Sequence, residues 1–224
     1  MNKTILIIDF DSTLVSVESL DLLAEIVLRN NPDKDLIVTE IKDITNLGME
    51  GKIDFGESLK RRIDLFKPNK EDIKQLCSLL MDKLTDSVKG NRSFFSKNYE
   101  SIYVISGGFE EFIIPVVAEL GIQDGHVLAN KFVWQGELCK GVDTTRVLAH
   151  KGGKVESIKS MSLNSKNIIV VGDGYTDLEI KQNGEAAVFI AFTENISRDS
   201  VVSQADYVAA DFDRVIDIYN QTLS

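Results

Sequence analysis

Two aspartates separated by a single residue, Asp9 and Asp11, directly follow the short apolar run Thr4–Ile8. A carboxylate can attack phosphorus as a covalent nucleophile, which divides a difficult hydrolysis into two easier steps. A second carboxyl beside it can protonate the leaving oxygen and then activate a water molecule. Asp and Ser are also frequent in loops and at helix caps, so the motif alone is compatible with a purely structural role.

A serine and two glycines, Ser106-Gly107-Gly108, follow a second apolar run, Ser101–Ile105. A helix is predicted to begin near Phe109, and the free N–H groups at a helix amino terminus attract anions. Glycines let the backbone approach a phosphate without a Cβ atom in the way. The same three residues are common in ordinary loops, which is the alternative interpretation.

A third cluster contains two aspartates, Asp173 and Asp177, four residues apart after the apolar run Ile168–Val171. Acidic residues at a helix start can serve only to cap it and to compensate its dipole. Together with Asp9, however, they offer the hard oxygen ligands that Mg²⁺ prefers. A carboxylate that attacks a phosphate meets strong repulsion unless a metal ion and a lysine offset it. The three clusters are therefore needed together for one reaction at phosphorus.

The elements that carry these clusters predict an α/β fold. Strands that are apolar on both faces belong in the middle of a parallel sheet covered by helices. In such sheets the functional crevice lies at the carboxyl ends of the strands, where all three clusters stand. Further strands are predicted at Ala187–Ala191 and Tyr207–Ala209, a closing helix around Arg214–Asn220, and a β-hairpin over Val127–Asp143.

The segment from residue 15 to residue 72 has a different pattern. It has no convincing strand, and it carries amphipathic helical patterns at Ser19–Val27, Leu36–Ile44 and Phe55–Phe66. We therefore predict two units: a catalytic core of residues 1–14 and 73–224, and a small helical cap of residues 15–72 over the crevice.

The composition limits the partners. The chain has 25 basic and 35 acidic residues, a net charge of −10, which disfavours binding to nucleic acid or anionic lipid but not to a small anion in a positive pocket. Its apolar runs are far shorter than the ~20 residues that span a bilayer. Two cysteines, Cys77 and Cys139, are too few for a disulfide framework. We expect a cytoplasmic protein, with neither nucleic acid nor a membrane as partner.

The order of the three motifs, with a lysine between the last two, resembles the haloacid dehalogenase superfamily over nearly the whole chain. Within it, the chain is similar to the phosphoserine phosphatase family through three stretches: Asp9 to Val15 followed by Glu18; Met49-Glu50-Gly51, Phe55, Ser58-Leu59 and Arg62; and Ser106-Gly107-Gly108-Phe109. The resemblance implies a Rossmann-like parallel-sheet core with a small helical cap inserted after the first strand. It also implies Mg²⁺-dependent hydrolysis of L-phosphoserine to serine and phosphate through an aspartyl-phosphate.

The resemblance also assigns roles to the acidic residues. Asp9 would be the nucleophile and Asp11 the general acid and base. Mg²⁺ would bind the carboxylates of Asp9 and Asp173 and the backbone carbonyl of Asp11, with Asp177 in support.

For the substrate, the resemblance implies that Ser106 and Gly107 hold phosphate oxygens and that Met49 and Phe55 line the cap side. Glu18 and Arg62 would bind the amino and carboxylate groups of the serine, a complementary pairing because arginine forks onto carboxylates. Most such charged pairs are exposed on helix surfaces, which is the structural alternative. The resemblance also implies a phosphate-binding lysine. We favour Lys154, which follows two glycines and opens an apolar stripe with Ile158 and Met161, and the alternative is Lys151, which keeps the family's spacing to Asp173 better. Thr176 stands where many relatives carry Asn.

Two other functions share this chemistry. The chain could hydrolyse a different small phosphorylated metabolite, because cap residues select the substrate. It could also be a phosphotransferase that passes the phosphoryl group to an alcohol rather than to water. We expect a monomer or a homodimer, a state that no motif specifies.

Overall fold

Six parallel strands form the central sheet of the protein. The computed structural model describes residues 4–163 and 167–222. The sheet strands are β1 (Ile5–Ile8), β2 (Ile102–Phe109), β3 (Val127–Asn130), β6 (Ile168–Gly172), β7 (Val188–Phe192) and β8 (Tyr207–Ala209), and a separate antiparallel pair consists of β4 (Phe132–Gln135) and β5 (Leu138–Val142). Across the sheet the strands follow the order β3-β2-β1-β6-β7-β8.

The three strands that precede the polar motifs are neighbours at the centre of the sheet. β1 pairs with β2 through Leu6 and Ile102 and with β6 through Ile7 and Val170. Their side chains are almost entirely buried on both faces, as expected for strands between two helical layers. The predicted α/β fold with a parallel sheet is confirmed, and it brings the carboxyl ends of these strands to one edge.

The helices occupy the segments between the strands. They are α1 (Ser19–Val27), α2 (Lys34–Met49), α3 (Phe55–Leu65), α4 (Lys70–Asp82), α5 (Asp86–Gly90), α6 (Arg92–Asn98), α7 (Glu110–Ala118), α8 (Gly153–Ser160), α9 (Tyr175–Gln182), α10 (Asp199–Val202) and α11 (Phe212–Thr222). None of those within residues 4–163 and 167–222 combines the length and the apolar character that a membrane span requires.

The helical insertion after the first strand is confirmed, because α1, α2 and α3 follow β1 with no strand among them. The side chain of Asp54 accepts a hydrogen bond from the N–H of Glu57 and so fixes the start of α3. Residue 72 lies inside α4, which packs against both α1 and α7. The predicted boundaries of the cap, residues 15 and 72, stay a prediction.

The prediction of one hairpin over Val127–Asp143 is wrong in its first part. Val127–Asn130 joins the main sheet as β3, parallel to β2, and only β4 and β5 form the hairpin. Val127 and Ala129 are buried, so β3 lies against the core and not at the surface. An alternating pattern in sequence does not distinguish a parallel edge strand from the first arm of a hairpin.

The second strand also differs from its prediction. β2 does not end at Ile105 but continues to Phe109, and its register against β3 shifts between these two residues. The Ser106-Gly107-Gly108 motif is therefore an irregular stretch within a strand, and α7 begins one residue after Phe109. Such bulges are common beside active sites, where they redirect side chains.

An aromatic cluster formed by Phe94, Phe95 and Phe212 packs beside the sheet. Phe95 is fully buried, with its ring centroid 4.9 Å from that of Phe212 and 5.9 Å from that of Phe94.

We expect Phe95→Ala to lower the free energy of unfolding by about 3–5 kcal/mol, because it leaves a cavity in the core. Urea denaturation measures this loss. Leu36→Ala, at a side chain that is 73% exposed, is the control and should change stability by less than about 0.5 kcal/mol. A similar small change for Phe95→Ala would contradict the prediction.

Candidate active site

One small cavity at the carboxyl edge of the sheet brings together most of the residues that the sequence singled out. Its volume is about 10 Å³, close to that of one water molecule. It is lined by Asp9, Asp11, Leu20, Met49, Phe55, Arg62, Ser106, Gly107, Gly108, Lys154 and Thr176.

Asp9 is held at the end of β1 with its side chain pointing into this cavity. Its N–H donates to the carbonyl of Val171 at 2.9 Å, which continues the pairing between β1 and β6 by one residue. Its Oδ1 atom accepts a hydrogen bond from the N–H of Phe10 at 2.8 Å. The carboxylate is therefore buried and fixed in orientation, as a nucleophile requires.

Lys154, not Lys151, lies beside this carboxylate. The Lys154 Nζ atom is 2.8 Å from Asp9 Oδ1 and 2.8 Å from Asp177 Oδ1, whereas Lys151 is exposed. Burial alone would lower the pKa of the Lys154 ammonium, but the carboxylates of Asp177 and Asp9 outweigh it and raise that pKa above its usual value. The lysine therefore carries a permanent positive charge beside Asp9.

Gly153 allows Lys154 to reach this position. A Cβ atom at Gly153 would stand 2.6 Å from the carbonyl oxygen of Val147 and 2.7 Å from the Cα atom of Leu148. Any larger residue would push the start of α8 away from this backbone and withdraw the ammonium group from Asp9.

Three buried carboxylates, those of Asp9, Asp173 and Asp177, have oxygens within 4.8 Å of one another. Both oxygens of Asp177 are engaged, Oδ1 by Lys154 at 2.8 Å and Oδ2 by the N–H of Gly174 at 3.3 Å. Burial, with the charge of Asp9, raises the pKa of Asp177 to about 7. In the part of the chain that the structure describes, one oxygen each of Asp9 and Asp173 accepts no hydrogen bond. This donor set of hard oxygens fits Mg²⁺.

The Asp11 carboxyl lies apart from these three, at the amino terminus of α1. Its Oδ1 accepts a hydrogen bond from the N–H of Ser19 at 2.9 Å. Burial raises the pKa of Asp11 well above its usual value, and the charges of Glu18 and Asp9 raise it further. A carboxyl with a raised pKa keeps its proton at higher pH, which suits a general acid.

Glu18 and Arg62 are not an exposed surface pair. Arg62 is only 3% exposed, and its Nη1 atom donates to the Thr45 hydroxyl at 3.2 Å, which in turn donates to Asp21. Glu18 accepts a hydrogen bond from the Ser12 hydroxyl at 2.7 Å. Burial lowers the pKa of Arg62 and raises that of Glu18. An arginine at this depth offers a carboxylate a strong, desolvated partner.

The cap side of the cavity is apolar. The Phe55 ring lies so close to Gly107 that a Cβ atom at this position would clash with it. Met49 lies near Gly174, and Thr176 completes the lining at the start of α9. A glycine at position 107 therefore permits the close packing of Phe55 against β2.

Comparison with known proteins identifies the family. The model of the haloacid dehalogenase-like hydrolases matches residues 6–180. The chain is 31% identical to a human phosphoserine phosphatase over 91% of its own length and 88% of that protein, and 32% identical to one from Drosophila melanogaster over 93% and 75%. A phosphoserine phosphohydrolase-like protein from Francisella tularensis, 33% identical, superimposes with a TM-score of 0.86 over 97% of this chain and 99% of that one.

The chain belongs to the haloacid dehalogenase-like hydrolases. It is a phosphoric monoester hydrolase of the phosphoserine phosphatase-like group. The resemblance inferred from the motifs is thereby confirmed.

Sequence reasoning did not predict one further residue of this hydrolase site, Arg198. Arg198 is buried, and its Nε atom donates to Asp173 Oδ2 at 3.0 Å, while its Nη2 atom lies 3.8 Å from Glu18 Oε1. Its Nη1 atom donates to Asn46 at 3.4 Å. Burial raises the pKa of Asp173 well above its usual value, as do the charges of Glu18 and Asp9, and Arg198 opposes this shift. Its position could have indicated this role, because Arg198 follows β7, the neighbour of β6, and so lies at the same edge of the sheet as Asp173.

The buried carboxylates predict that Mg²⁺ stabilises the folded chain. A ligand that binds only the folded state raises stability by about 2.7 kcal/mol at a hundred times its dissociation constant. We expect Mg²⁺ to raise the Tm of the wild type over an EDTA-treated sample, and Asp173→Asn to abolish most of that rise. Differential scanning calorimetry measures it. Asp124→Asn, an exposed site elsewhere, should keep the full rise. An undiminished rise in Asp173→Asn would exclude Asp173 as a ligand.

Proposed function

We propose that the chain hydrolyses L-phosphoserine to serine and phosphate in an Mg²⁺-dependent reaction, through a phosphoryl group carried on Asp9. The observation that carries the proposal is the single cavity that contains Asp9, Asp11, Ser106 and Lys154 together with the buried Arg62. The first four supply chemistry at phosphorus, and Arg62 supplies a partner for the carboxylate of an amino acid.

In the first step an oxygen of the Asp9 carboxylate attacks phosphorus, and the bond from phosphorus to the serine oxygen breaks. Asp11 donates its proton to that oxygen, so serine leaves as a neutral alcohol. In the second step Asp11, now ionised, removes a proton from water, which attacks phosphorus and releases phosphate with the Asp9 carboxylate restored. The raised pKa of Asp11 favours the protonated form in which the first step begins.

Charge neutralisation is the task of the surrounding groups. Lys154 and the Ser106 hydroxyl hold phosphate oxygens, with the backbone at Gly107. The carboxylates of Asp9 and Asp173 and the carbonyl of Asp11 would hold Mg²⁺, which would supply a second positive charge against the phosphate. Asp177 holds Lys154 in place through its 2.8 Å contact.

Substrate selection rests on the cap side. Arg62 receives the carboxylate and Glu18 the ammonium group, and Met49, Phe55 and Thr176 close around the serine carbon atoms. The ring of Phe55 packs against Gly107 over this cavity, so we expect the cap helices to move when the substrate enters. A closing cap favours small metabolites over phosphoproteins. The cytoplasmic location and the monomeric or homodimeric state stay predictions.

Asp9→Asn tests the nucleophile. The amide cannot form the phosphoryl intermediate, so we expect kcat for L-phosphoserine to fall by at least about a thousandfold while the Tm stays within a few degrees. Phosphate release at saturating Mg²⁺ measures this, with Asp124→Asn as the control. Turnover near the wild-type rate would refute the role of Asp9.

Addition of homoserine to the wild type tests for phosphotransfer, which would produce phosphohomoserine in place of inorganic phosphate.

Arg62→Ala tests the substrate class. We expect kcat/KM for L-phosphoserine to fall about 10- to 100-fold, because a buried ionic hydrogen bond is lost, and kcat/KM for phosphoethanolamine, which has no carboxylate, to stay nearly unchanged. Arg61→Ala is the matched control, since Arg61 is the adjacent, largely exposed arginine. Equal losses for both substrates would contradict a carboxylate-binding role. A wild type that hydrolyses another metabolite better than L-phosphoserine would overturn the proposed substrate.

A further inference from the structure

The irregular stretch in β2 takes the Ser106-Gly107-Gly108 motif out of the regular hydrogen-bonded pairing between β2 and β3. Ile105 pairs with Leu128 and Phe109 pairs with Asn130, so four residues along β2 correspond to two along β3. The backbone groups of the extra residues lack their usual partners across the strands. Because buried carbonyl groups require hydrogen bonds, another donor must satisfy this stretch.

The side chain of Asn130 provides that donor. Its Nδ2 atom donates to the carbonyl of Gly107 at 2.9 Å and to the carbonyl of Leu148 at 3.3 Å, and the residue is fully buried. Leu148 belongs to the short turn that contacts Gly153 immediately before Lys154. One amide group therefore joins the serine–glycine motif to the segment that carries the lysine.

The planarity of the peptide group transmits this contact to Ser106. In a trans peptide the carbonyl of Gly107 and the N–H of Gly108 point in opposite directions, so fixing the first fixes the second. The N–H of Gly108 donates to Ser106 Oγ at 3.0 Å. That bond occupies a lone pair of the hydroxyl and leaves its proton free to donate to a ligand in the cavity.

The other end of the Asn130 amide argues against a role in stability alone. Its Oδ1 atom is buried and, within the described residues, has no hydrogen-bond partner. An unsatisfied buried oxygen costs about 1–3 kcal/mol, which offsets part of what the two donated hydrogen bonds contribute to stability. The amide is therefore best explained by what its two donors hold in place.

We propose that Asn130 is a positioning residue for the phosphate-binding half of the site: it sets the direction of the Ser106 hydroxyl and its separation from Lys154. This inference rests on the proposed function only in taking Ser106 and Lys154 as the groups that hold phosphate. It assigns Asn130 no contact with substrate.

Asn130→Ala tests the proposal, because it removes both donors without adding charge. Isothermal titration calorimetry in Mg²⁺ measures the dissociation constants of inorganic phosphate and, separately, of L-serine. We expect the dissociation constant of phosphate to rise about tenfold or more and kcat for L-phosphoserine to fall by a similar factor. The dissociation constant of L-serine, whose partners are Glu18 and Arg62, should stay within about twofold.

The control is Asn98→Ala, since the Asn98 amide also donates to a backbone carbonyl, that of Phe94, but lies before the amino end of β2. If Asn130→Ala does not fold, Asn130→Leu is measured instead, because it keeps about the volume of the side chain, adds no charge and removes both donors. Phosphate binding and kcat within twofold of the wild type would overturn the proposal, as would an equal weakening of phosphate binding and L-serine binding.

A wild type that binds phosphate but neither binds L-serine nor hydrolyses L-phosphoserine would overturn the proposed substrate, and the phosphate measurement would still test Asn130.

Discussion

The ammonium group of Lys154, buried between two carboxylates, is the interaction on which the rest of the site depends. A lysine is rarely buried, because desolvation disfavours its charge, unless opposite charges surround it. Here Asp9 and Asp177 each lie 2.8 Å from it, and together they raise its pKa in spite of burial. The same contact keeps the Asp9 carboxylate beside a positive charge, where it can approach an anionic phosphate.

A second cation balances the other side of the acidic cluster. Arg198 donates to Asp173, close to the carboxylate of Glu18, and burial together with the neighbouring charges raises the pKa of Asp173. Without Lys154 and Arg198 the buried carboxylates would repel one another and take up protons. Lys154 and Arg198 therefore oppose this repulsion and stabilise the carboxylates of Asp9, Asp173 and Asp177, whose oxygens lie within 4.8 Å of one another.

Close contacts made by the backbone at glycines position the remaining side chains of the site. Gly153 brings the start of α8 against the turn at Val147, and Gly107 admits the ring of Phe55. The irregular register of β2 carries Ser106 out of the ladder and into the cavity, with Asn130 as its support. Each device places a side chain through contacts between segments that are far apart in the chain.

The sequence by itself determined the central strands, the helical insertion and most of the residues in the cavity. Buried parallel strands are apolar on both faces, and polar motifs directly after three of them must meet at one edge once those strands are neighbours. This reasoning, with the family resemblance, found Asp9, Asp11, Ser106 and Asp173. It needed no knowledge of long-range contacts.

Only the tertiary structure decided which lysine reaches Asp9, that Arg62 is buried, that Arg198 holds Asp173, and that Val127–Asn130 pairs with the main sheet. Lys151 and Lys154 differ by three positions. The two glycines before Lys154 favoured it in the sequence, and its contacts with Asp9 and Asp177 decide the choice. The partner of Arg198 lies 25 residues away in the chain. Local patterns record which elements form, whereas pairing across the fold depends on how those elements pack, which is a property of the whole chain.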